Sequence, residues 1–326
     1  MIEKLKEVLS IQTVSKDQFR MFAYIVRQVK QIPNTSMFID EGNLYITKGS
    51  ATTYPCMVAH MDTVHDITDD LFPLEFNGMI TGFDRVNMEQ VGIGGDDKVG
   101  IFIALECLRE FDDIKIAFFR DEEVGCHGSY VAHMGFFDNC RFVLQCDRRG
   151  NSDFIIDASG VELSSKCFQD DVLPIIANYG YKFGNGMMTD VMALKQNLIE
   201  CSVANISCGY YNPHSAQEFV DVFDVENCLD MCKTIIKYCT DTYTHKYKPR
   251  YVAPSKPYSK YAKVASTKSW DWGAPKENSR IFWEEEELSK VSDEPLYCSD
   301  CWREEAVTQD GLCKTCETWY VDHMAW

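Results

Sequence analysis

His60 and Asp62 directly follow an apolar run, in the segment MVAHMDTVHD at residues 57–66. Side chains alternate along a strand, so residues two positions apart point to the same face. A histidine that binds a metal often donates its second ring N–H to a carboxylate, and this spacing allows such a pair. A hydrogen-bonded turn at a strand end would use the same two residue types, so the motif has two interpretations when it is taken alone.

Further acids and a second histidine follow other apolar segments. They are Asp96 and Asp97 in GIGGDDK, Glu122 and Glu123 in FFRDEEVG, Asp147 in VLQCDRRG, and His214 in YNPHSAQEF. Adjacent acids repel each other, and a tight glycine-rich turn that pairs them is costly unless a cation lies nearby. Each stretch alone would also fit a helix cap, a solvated loop or a surface histidine. Together they offer the oxygen and nitrogen ligands of a two-zinc site with a water between the metals.

The elements that would position these residues alternate between strand and helix over the first 245 residues. Four apolar runs have the length of strands: PCMVAH, IKIAFFRD, RFVLQCD and CSVANISCG. Two longer segments, KVGIFIALECLREF and VENCLDMCKTIIKYC, have apolar residues at helical spacing. This alternation predicts an α/β domain. Ligands bind at the carboxyl ends of the strands in open α/β sheets, so we expect the acids and histidines to meet there.

The order His-x-Asp, Asp-Asp-Lys, Glu-Glu, Asp, His resembles the co-catalytic dizinc exopeptidases and deacylases, a family that includes peptidase T and glutamate carboxypeptidase. The resemblance covers roughly residues 50 to 235. It implies a three-layer α/β/α domain with a central mixed sheet over residues 1–245. It also implies a zinc-dependent hydrolase that cleaves an amide bond of a short peptide, as an aminopeptidase of the tripeptidase kind. An N-acyl amino acid deacylase is the alternative enzyme, and a non-catalytic metal-containing binding protein is the alternative from another class.

The resemblance also implies a role for each motif residue. Two zinc ions, which cobalt or manganese could replace, would share five ligands: His60 and Asp147 on the first, Glu123 and His214 on the second, and Asp96 bridging both. A cis peptide bond would join Asp96 to Asp97, and Asp62 would orient His60. Glu122 would be the general base, taking a proton from the bridging water and returning it to the leaving amine.

The chain departs from the family between Asp147 and His214. Many relatives insert a lid or dimerisation domain of about a hundred residues there, but only 66 residues separate the two positions here. The lid often supplies a histidine that stabilises the tetrahedral oxyanion, so another donor is needed. Tyr210 and Tyr211 are the nearest candidates, and Arg148 or Arg149 is an alternative; ordinary aromatic packing would explain the tyrosines equally well. Asp190, in MMTDVMALK, resembles a family segment in which the aspartate is structural.

Residues 291–326 contain two Cys-x-x-Cys pairs separated by eleven residues. The four cysteines are Cys298, Cys301, Cys313 and Cys316. Each pair could bind one side of a tetrahedral ion, and TQDGL between them contains a turn, so we expect one structural zinc in a small zinc-ribbon-like module. A redox pair or free thiols would be the alternative. The module could bind a protein partner.

Residues 246–290 differ in composition from the segments on either side. Nine basic residues face two acids between positions 246 and 280, a local net charge of +7, and an acidic run, EEEE, follows at 284–287. The segment is either a solvated tether or a strap that lies along the acidic catalytic domain.

The overall composition bears on location and ligands. A net charge of −18 argues against nucleic acid as a partner, because phosphates would be repelled. No run approaches the roughly 20 apolar residues that span a bilayer, which argues against a membrane protein. The N-terminus lacks the pattern of a signal peptide and the 15 cysteines are an odd number, so we expect a reducing, cytoplasmic setting. The expected partner is a small peptide or an acylated amino acid.

Overall fold

A computed structural model describes residues 1–247 of the chain. The strands are β1 Thr35–Asp40, β2 Asn43–Lys48, β3 Tyr54–His60, β4 Leu71–Phe76, β5 Met79–Asp84, β6 Glu89–Val91, β7 Ile114–Phe119, β8 Cys140–Arg148, β9 Asp153–Ala158, β10 Val161–Glu162, β11 Lys182–Gly186, β12 Ser202–Ser207, β13 Tyr210–Tyr211 and β14 Phe219–Asp221. The helices are α1 Ile2–Ser10, α2 Phe19–Lys30, α3 Gly95–Glu110, α4 His127–Tyr130, α5 Lys166–Asn178, α6 Asp190–Gln196 and α7 Val222–Tyr238.

A mixed sheet of nine strands forms the centre of the domain. Its order is β1-β2-β7-β3-β8-β12-β9-β10, with β11 also paired to β9. The four middle strands, β7, β3, β8 and β12, run parallel, whereas β1 and β2 at one side and β9 and β10 at the other add antiparallel pairs. The carboxyl ends of the parallel strands therefore meet at one edge, where a binding site is expected.

Helices cover both faces of this sheet. Every residue of β3 and β7 is buried, as in parallel strands covered on both sides. Alternate residues of β3 join different cores: Met57 packs in the core that contains α1, α2, α3, α5 and α7, and Val58 packs in the core that contains α6. The predicted three-layer α/β/α domain with a central mixed sheet is confirmed. The helix α3 is buried nearly all round because it packs on the sheet and also contacts α1 and α7.

A second, antiparallel sheet lies beside the site edge. Its order is β13-β14-β5-β4, with β6 also paired to β5. The sheet joins two parts of the chain that are distant in sequence, because β14 pairs with β5. The side chain of Asp221 then begins α7 by accepting hydrogen bonds from the backbone of Phe223 and Asp224, as an N-cap does.

The predicted strands and helices correspond to β3, β7, β8, β12, α3 and α7. Residues 148–213, all of them described, form β9 to β12, α5, α6 and β13, so this stretch builds the main sheet and its helices and not a separate lid. The expectations for Cys298, Cys301, Cys313 and Cys316, and for nearly all of the basic strap, lie outside the described residues. Within residues 1–247, no helix combines the length and the apolar character needed to cross a membrane.

Candidate metal centre

The predicted site residues come from several neighbouring strand ends. His60 is the last residue of β3, Asp147 lies next to the end of β8, and Asp96 is in the first turn of α3. Glu122 and Glu123 follow β7, and His214 lies in the loop between β13 and β14. The adjacency of β7, β3 and β8 in the sheet brings the first groups together. The second sheet then carries the His214 loop over them.

Asp96 lies between two groups of possible ligands. Its Oδ1 is 3.2 Å from His60 Nε2, which is also 3.7 Å from Asp147 Oδ1. Its Oδ2 is 3.4 Å from His214 Nε2, which is 3.2 Å from Glu123 Oε2. Each group of three offers ligand atoms that all lie within 4.8 Å of one another. One carboxylate thus presents one oxygen to each group, which is the geometry of a ligand that bridges two metal ions.

Asp62 holds His60 and the two glutamates in place. His60 Nδ1 lies 3.0 Å from the backbone oxygen of Asp62 and 3.4 Å from its Oδ1, so Nε2 is directed toward Asp96. The Asp62 carboxylate also accepts hydrogen bonds from the backbone N–H groups of Glu122 at 3.0 Å and Glu123 at 3.2 Å. Ser15 donates its hydroxyl to the same carboxylate at 2.7 Å. Asp62 therefore holds His60, at the end of β3, and the two glutamates that follow β7.

Glu122 and Glu123 are directed to different partners. Glu123 Oε2 faces His214, whereas Glu122 Oε1 accepts a hydrogen bond from the thiol of Cys126 at 3.3 Å. Burial raises the pKa of Glu122, and the charge of His60 partly opposes this increase. A carboxylate with a raised pKa is a stronger proton acceptor, which is the property that a general base needs.

The donor set fits divalent metal ions. Glu123 Oε1 is buried and finds no hydrogen-bond donor among residues 1–247. Burial raises the pKa of Glu123 to about 8, and burial together with the charge of Asp96 raises the pKa of Asp147 well above its ordinary value. Buried, mutually repelling carboxylates with an unused acceptor atom are stabilised by cations. The separations of about 3.2 to 3.7 Å between ligand atoms suit metal–ligand bonds of about 2.0–2.2 Å.

Side chains behind Asp147 hold its carboxylate. Gln145, two residues earlier on the same face of β8, donates to Asp147 Oδ2 at 3.0 Å and to Asp190 at 3.1 Å. The hydroxyl of Tyr210 donates to Asp147 Oδ1 at 3.3 Å. Asp190 is buried and also accepts from Ser129 at 2.6 Å, so it supports this network from behind. The strand period of two was the signal that could have identified Gln145 from the sequence.

Glu218 is a buried acid that the sequence patterns did not single out. Its carboxylate accepts hydrogen bonds from the backbone N–H groups of Gly94 at 2.7 Å and Asp96 at 3.2 Å, and it lies 2.6 Å from His65 Nε2. The neighbouring Gly95 leaves no space for a side chain, because a Cβ there would lie 2.7 Å from Tyr210 Cβ. In the sequence, Glu218 lies four residues after His214, and this proximity could have identified it as a residue near the site.

The remaining sequence candidates lie at different distances from the centre. The peptide bond between Asp96 and Asp97 is cis, as the family resemblance implies, and the Asp97 carboxylate accepts from the backbone of His60 and Gly100. Tyr211 donates to Asp224 and stacks on Phe219, away from both ligand groups. Arg148 is paired with Asp153. Of Tyr210, Tyr211 and Arg148, only Tyr210 has a hydrogen bond to one of the candidate metal ligands, Asp147.

Solved structures with a similar fold include several peptidases. An aminopeptidase PepT from Bacillus cereus ATCC 10987 and a tripeptidase from Staphylococcus aureus each match with a TM-score of 0.59 and 12% identity, covering 73% of this chain and 97% of theirs. An aminopeptidase from the archaeon Desulfurococcus kamchatkensis matches with a TM-score of 0.54 and 15% identity, covering 73% of this chain and 96% of its own. The chain has the fold of these peptidases. No protein-family model and no curated protein sequence matches it.

Proposed function

We propose that the chain is a two-zinc hydrolase that removes the N-terminal residue from a short peptide. The observation that carries this proposal is the position of Asp96, whose two oxygens face two separate groups of ligand atoms. A site for one ion would need only one of these groups. The printed names of the similar structures, aminopeptidase and tripeptidase, support the choice of reaction.

The residues of the site have distinct parts in this proposal. His60, Asp147, Glu123, His214 and Asp96 would hold the ions. Zinc, when bound, would polarise the scissile carbonyl and make water a better nucleophile at neutral pH. Cys126 occupies Glu122 Oε1, so Oε2 is the atom that would take the proton of the attacking water and pass it to the leaving amine. Tyr210, whose pKa burial raises further, is the candidate donor to the oxyanion, and for this its hydroxyl hydrogen would turn away from Asp147 Oδ1.

Among residues 1–247, the centre is open on one side, so a peptide could enter without movement of a covering domain. The His214 side chain is 51% exposed, whereas His60 is fully buried, so one side of the centre faces solvent. Residues 148–213 build no lid above it. The presence of Glu122 beside the ligands separates this proposal from a metal-containing binding protein, which would not need a base.

A substrate panel tests the proposal directly. The purified full chain is stripped with a chelator, reloaded with zinc, cobalt or manganese, and offered dipeptides, tripeptides, their N-acetylated forms and N-acyl amino acids. We expect metal-dependent cleavage of free tripeptides and dipeptides and weak cleavage of their N-acetylated forms. Cleavage of acyl amino acids alone would assign the deacylase reaction instead. Loaded protein that cleaves none of these amides would favour a binding protein.

A further inference from the structure

Three buried cysteines form a second group of side chains of a type that can bind a metal, apart from the candidate metal centre. The Sγ atoms of Cys146, Cys228 and Cys232, here the cysteine cluster, all lie within 4.8 Å of one another. Cys146 Sγ is 3.5 Å from Cys232 Sγ and 3.9 Å from Cys228 Sγ. A disulfide would need about 2.05 Å, so these sulfurs are unbonded thiols in contact. All three residues are fully buried.

The cysteine cluster lies where a helix crosses the strand that carries Asp147. Cys228 and Cys232 are four residues apart on α7, so they share one face of that helix. Cys146 is on β8, next to Asp147 but on the opposite face of the sheet. The three sulfurs therefore belong to two elements and lie on the face of the sheet opposite to the Asp147 side chain. This is the arrangement in which a bound ion would join a helix to a sheet.

The spacing of the sulfurs matches a metal ion. We propose that the cysteine cluster binds one zinc ion with a structural role. Given these separations, the point in the plane of the three sulfur atoms that is equidistant from them lies about 2.1–2.4 Å from each. Zinc–thiolate bonds are about 2.3 Å long. Thiolate sulfur is also the ligand type that binds zinc in closed structural sites.

The surroundings of the cysteine cluster offer a fourth polar atom. The Tyr181 hydroxyl donates to the backbone oxygen of Ser207 at 2.8 Å and is also within hydrogen-bonding contact of Cys228. Its oxygen is a polar atom that accompanies the three sulfurs in an otherwise apolar core. Zinc bound by three thiolates, with the three thiol protons released to solvent, would carry one net negative charge, which the Tyr181 hydroxyl could stabilise if its hydrogen turned from Ser207 to Cys228.

The competing explanation is that the three cysteines pack as small apolar side chains. Ten of the eleven cysteines in residues 1–247 are buried, so cysteine serves as a core residue elsewhere in the domain. The two explanations predict different results: a zinc site predicts a bound ion with sulfur ligands, whereas apolar packing predicts no ion at the cluster. Because the cluster is closed to solvent, its zinc would enter during folding and stay bound while the protein remains folded.

The test uses the full chain with the four C-terminal cysteines replaced, C298S/C301S/C313S/C316S, and produced with added zinc. Native protein is treated with a chelator, which removes ions from the open active site, and is then denatured so that any remaining zinc is released and measured. We expect about one equivalent after denaturation. X-ray absorption at the zinc edge of the chelator-treated protein should show sulfur neighbours at about 2.3 Å.

Two matched variants complete the test. C228A/C232A in the same background should lose this equivalent, whereas C56A, which removes a buried thiol outside the cluster, should keep it. Folded, chelator-treated protein without zinc would overturn the proposal, as would an absorption spectrum without sulfur ligands. The spectrum is measured on protein that retains the cluster, so it decides the question even when C228A/C232A does not fold.

Discussion

The buried carboxylate of Glu218 accepts a hydrogen bond from the backbone N–H of Asp96, across 3.2 Å. The same carboxylate accepts from Gly94 and contacts His65. Glu218 therefore holds the turn from which Asp96, the proposed bridging ligand, projects, although Glu218 belongs to neither group of ligand atoms itself. Groups that position ligands in this way typically change metal affinity or activity by about 10- to 100-fold when they are altered.

Glu218→Gln should weaken metal binding by about that factor. A glutamine keeps one acceptor oxygen but turns an NH₂ group toward backbone N–H donors, so the turn that carries Asp96 loses part of its support. Competition with a chelator measures the zinc affinity, and thermal unfolding of the metal-free protein shows whether the fold is preserved. Glu226→Gln, an exposed change on α7, is the control. Wild-type zinc affinity in a folded Glu218→Gln protein would contradict this positioning role.

Glu122→Gln and Glu123→Gln should have different effects. Glu122→Gln keeps the side-chain size but removes the proton acceptor, so kcat should fall by about 10²-fold or more while metal content stays near wild type. Glu123→Gln removes a charge that faces His214, so occupancy of one metal should fall. Metal analysis and steady-state kinetics on the same preparations distinguish the two. An active Glu122→Gln enzyme would place the base elsewhere.

Truncation after Tyr247 should preserve the metals and change the substrate preference. The contacts of His245 with Glu200 and Lys195 remain in the truncated chain, so the domain keeps its last described contacts. The removed residues contain most of the basic strap, which the acidic remainder of the chain would attract at moderate salt. KM and kcat across the peptide panel are the measurements. If the truncated and full chains have identical kinetics, residues 248–326 do not affect the substrate site, and a role with another partner would be favoured.

Lys195 should make stability depend on pH. Burial lowers its pKa from 10.5 to about 8, and its ammonium donates to the backbone oxygens of Ile199, Cys201 and His245. Between those pH values the unfolded chain binds more protons, so wild type should gain stability relative to Lys195→Met as pH rises from about 8 to 10.5. Over this whole pH range, the gain in the free energy of unfolding of wild type relative to Lys195→Met corresponds to about 3 kcal/mol.

Urea unfolding at several pH values measures this difference. The exposed Lys182→Met variant is the control for removal of a lysine charge. If the difference in the free energy of unfolding between wild type and Lys195→Met stays constant from about pH 8 to 10.5, Lys195 has the same pKa in the folded and unfolded states, which would contradict the prediction.

The amino-acid sequence was sufficient for the main elements and for the residues that could do chemistry. Apolar runs of strand length predicted β3, β7, β8 and β12, and helical spacing predicted α3 and α7, because burial on a sheet or helix imposes its own period on the chain. The α/β/α class followed from the family resemblance, and the structure confirms it. Acids and histidines next to strand ends were recognisable because few other positions place several such groups together.

Only the tertiary structure decided how these groups face one another. The two oxygens of Asp96 point to different ligand groups because β7, β3 and β8 are neighbours in the sheet and because β14, far along the chain, pairs with β5. The support from Glu218 and the contact of Cys146 with Cys228 and Cys232 likewise join residues more than 80 positions apart. Periodicity reports which face of an element is buried, but strand order and helix crossing determine what that face meets.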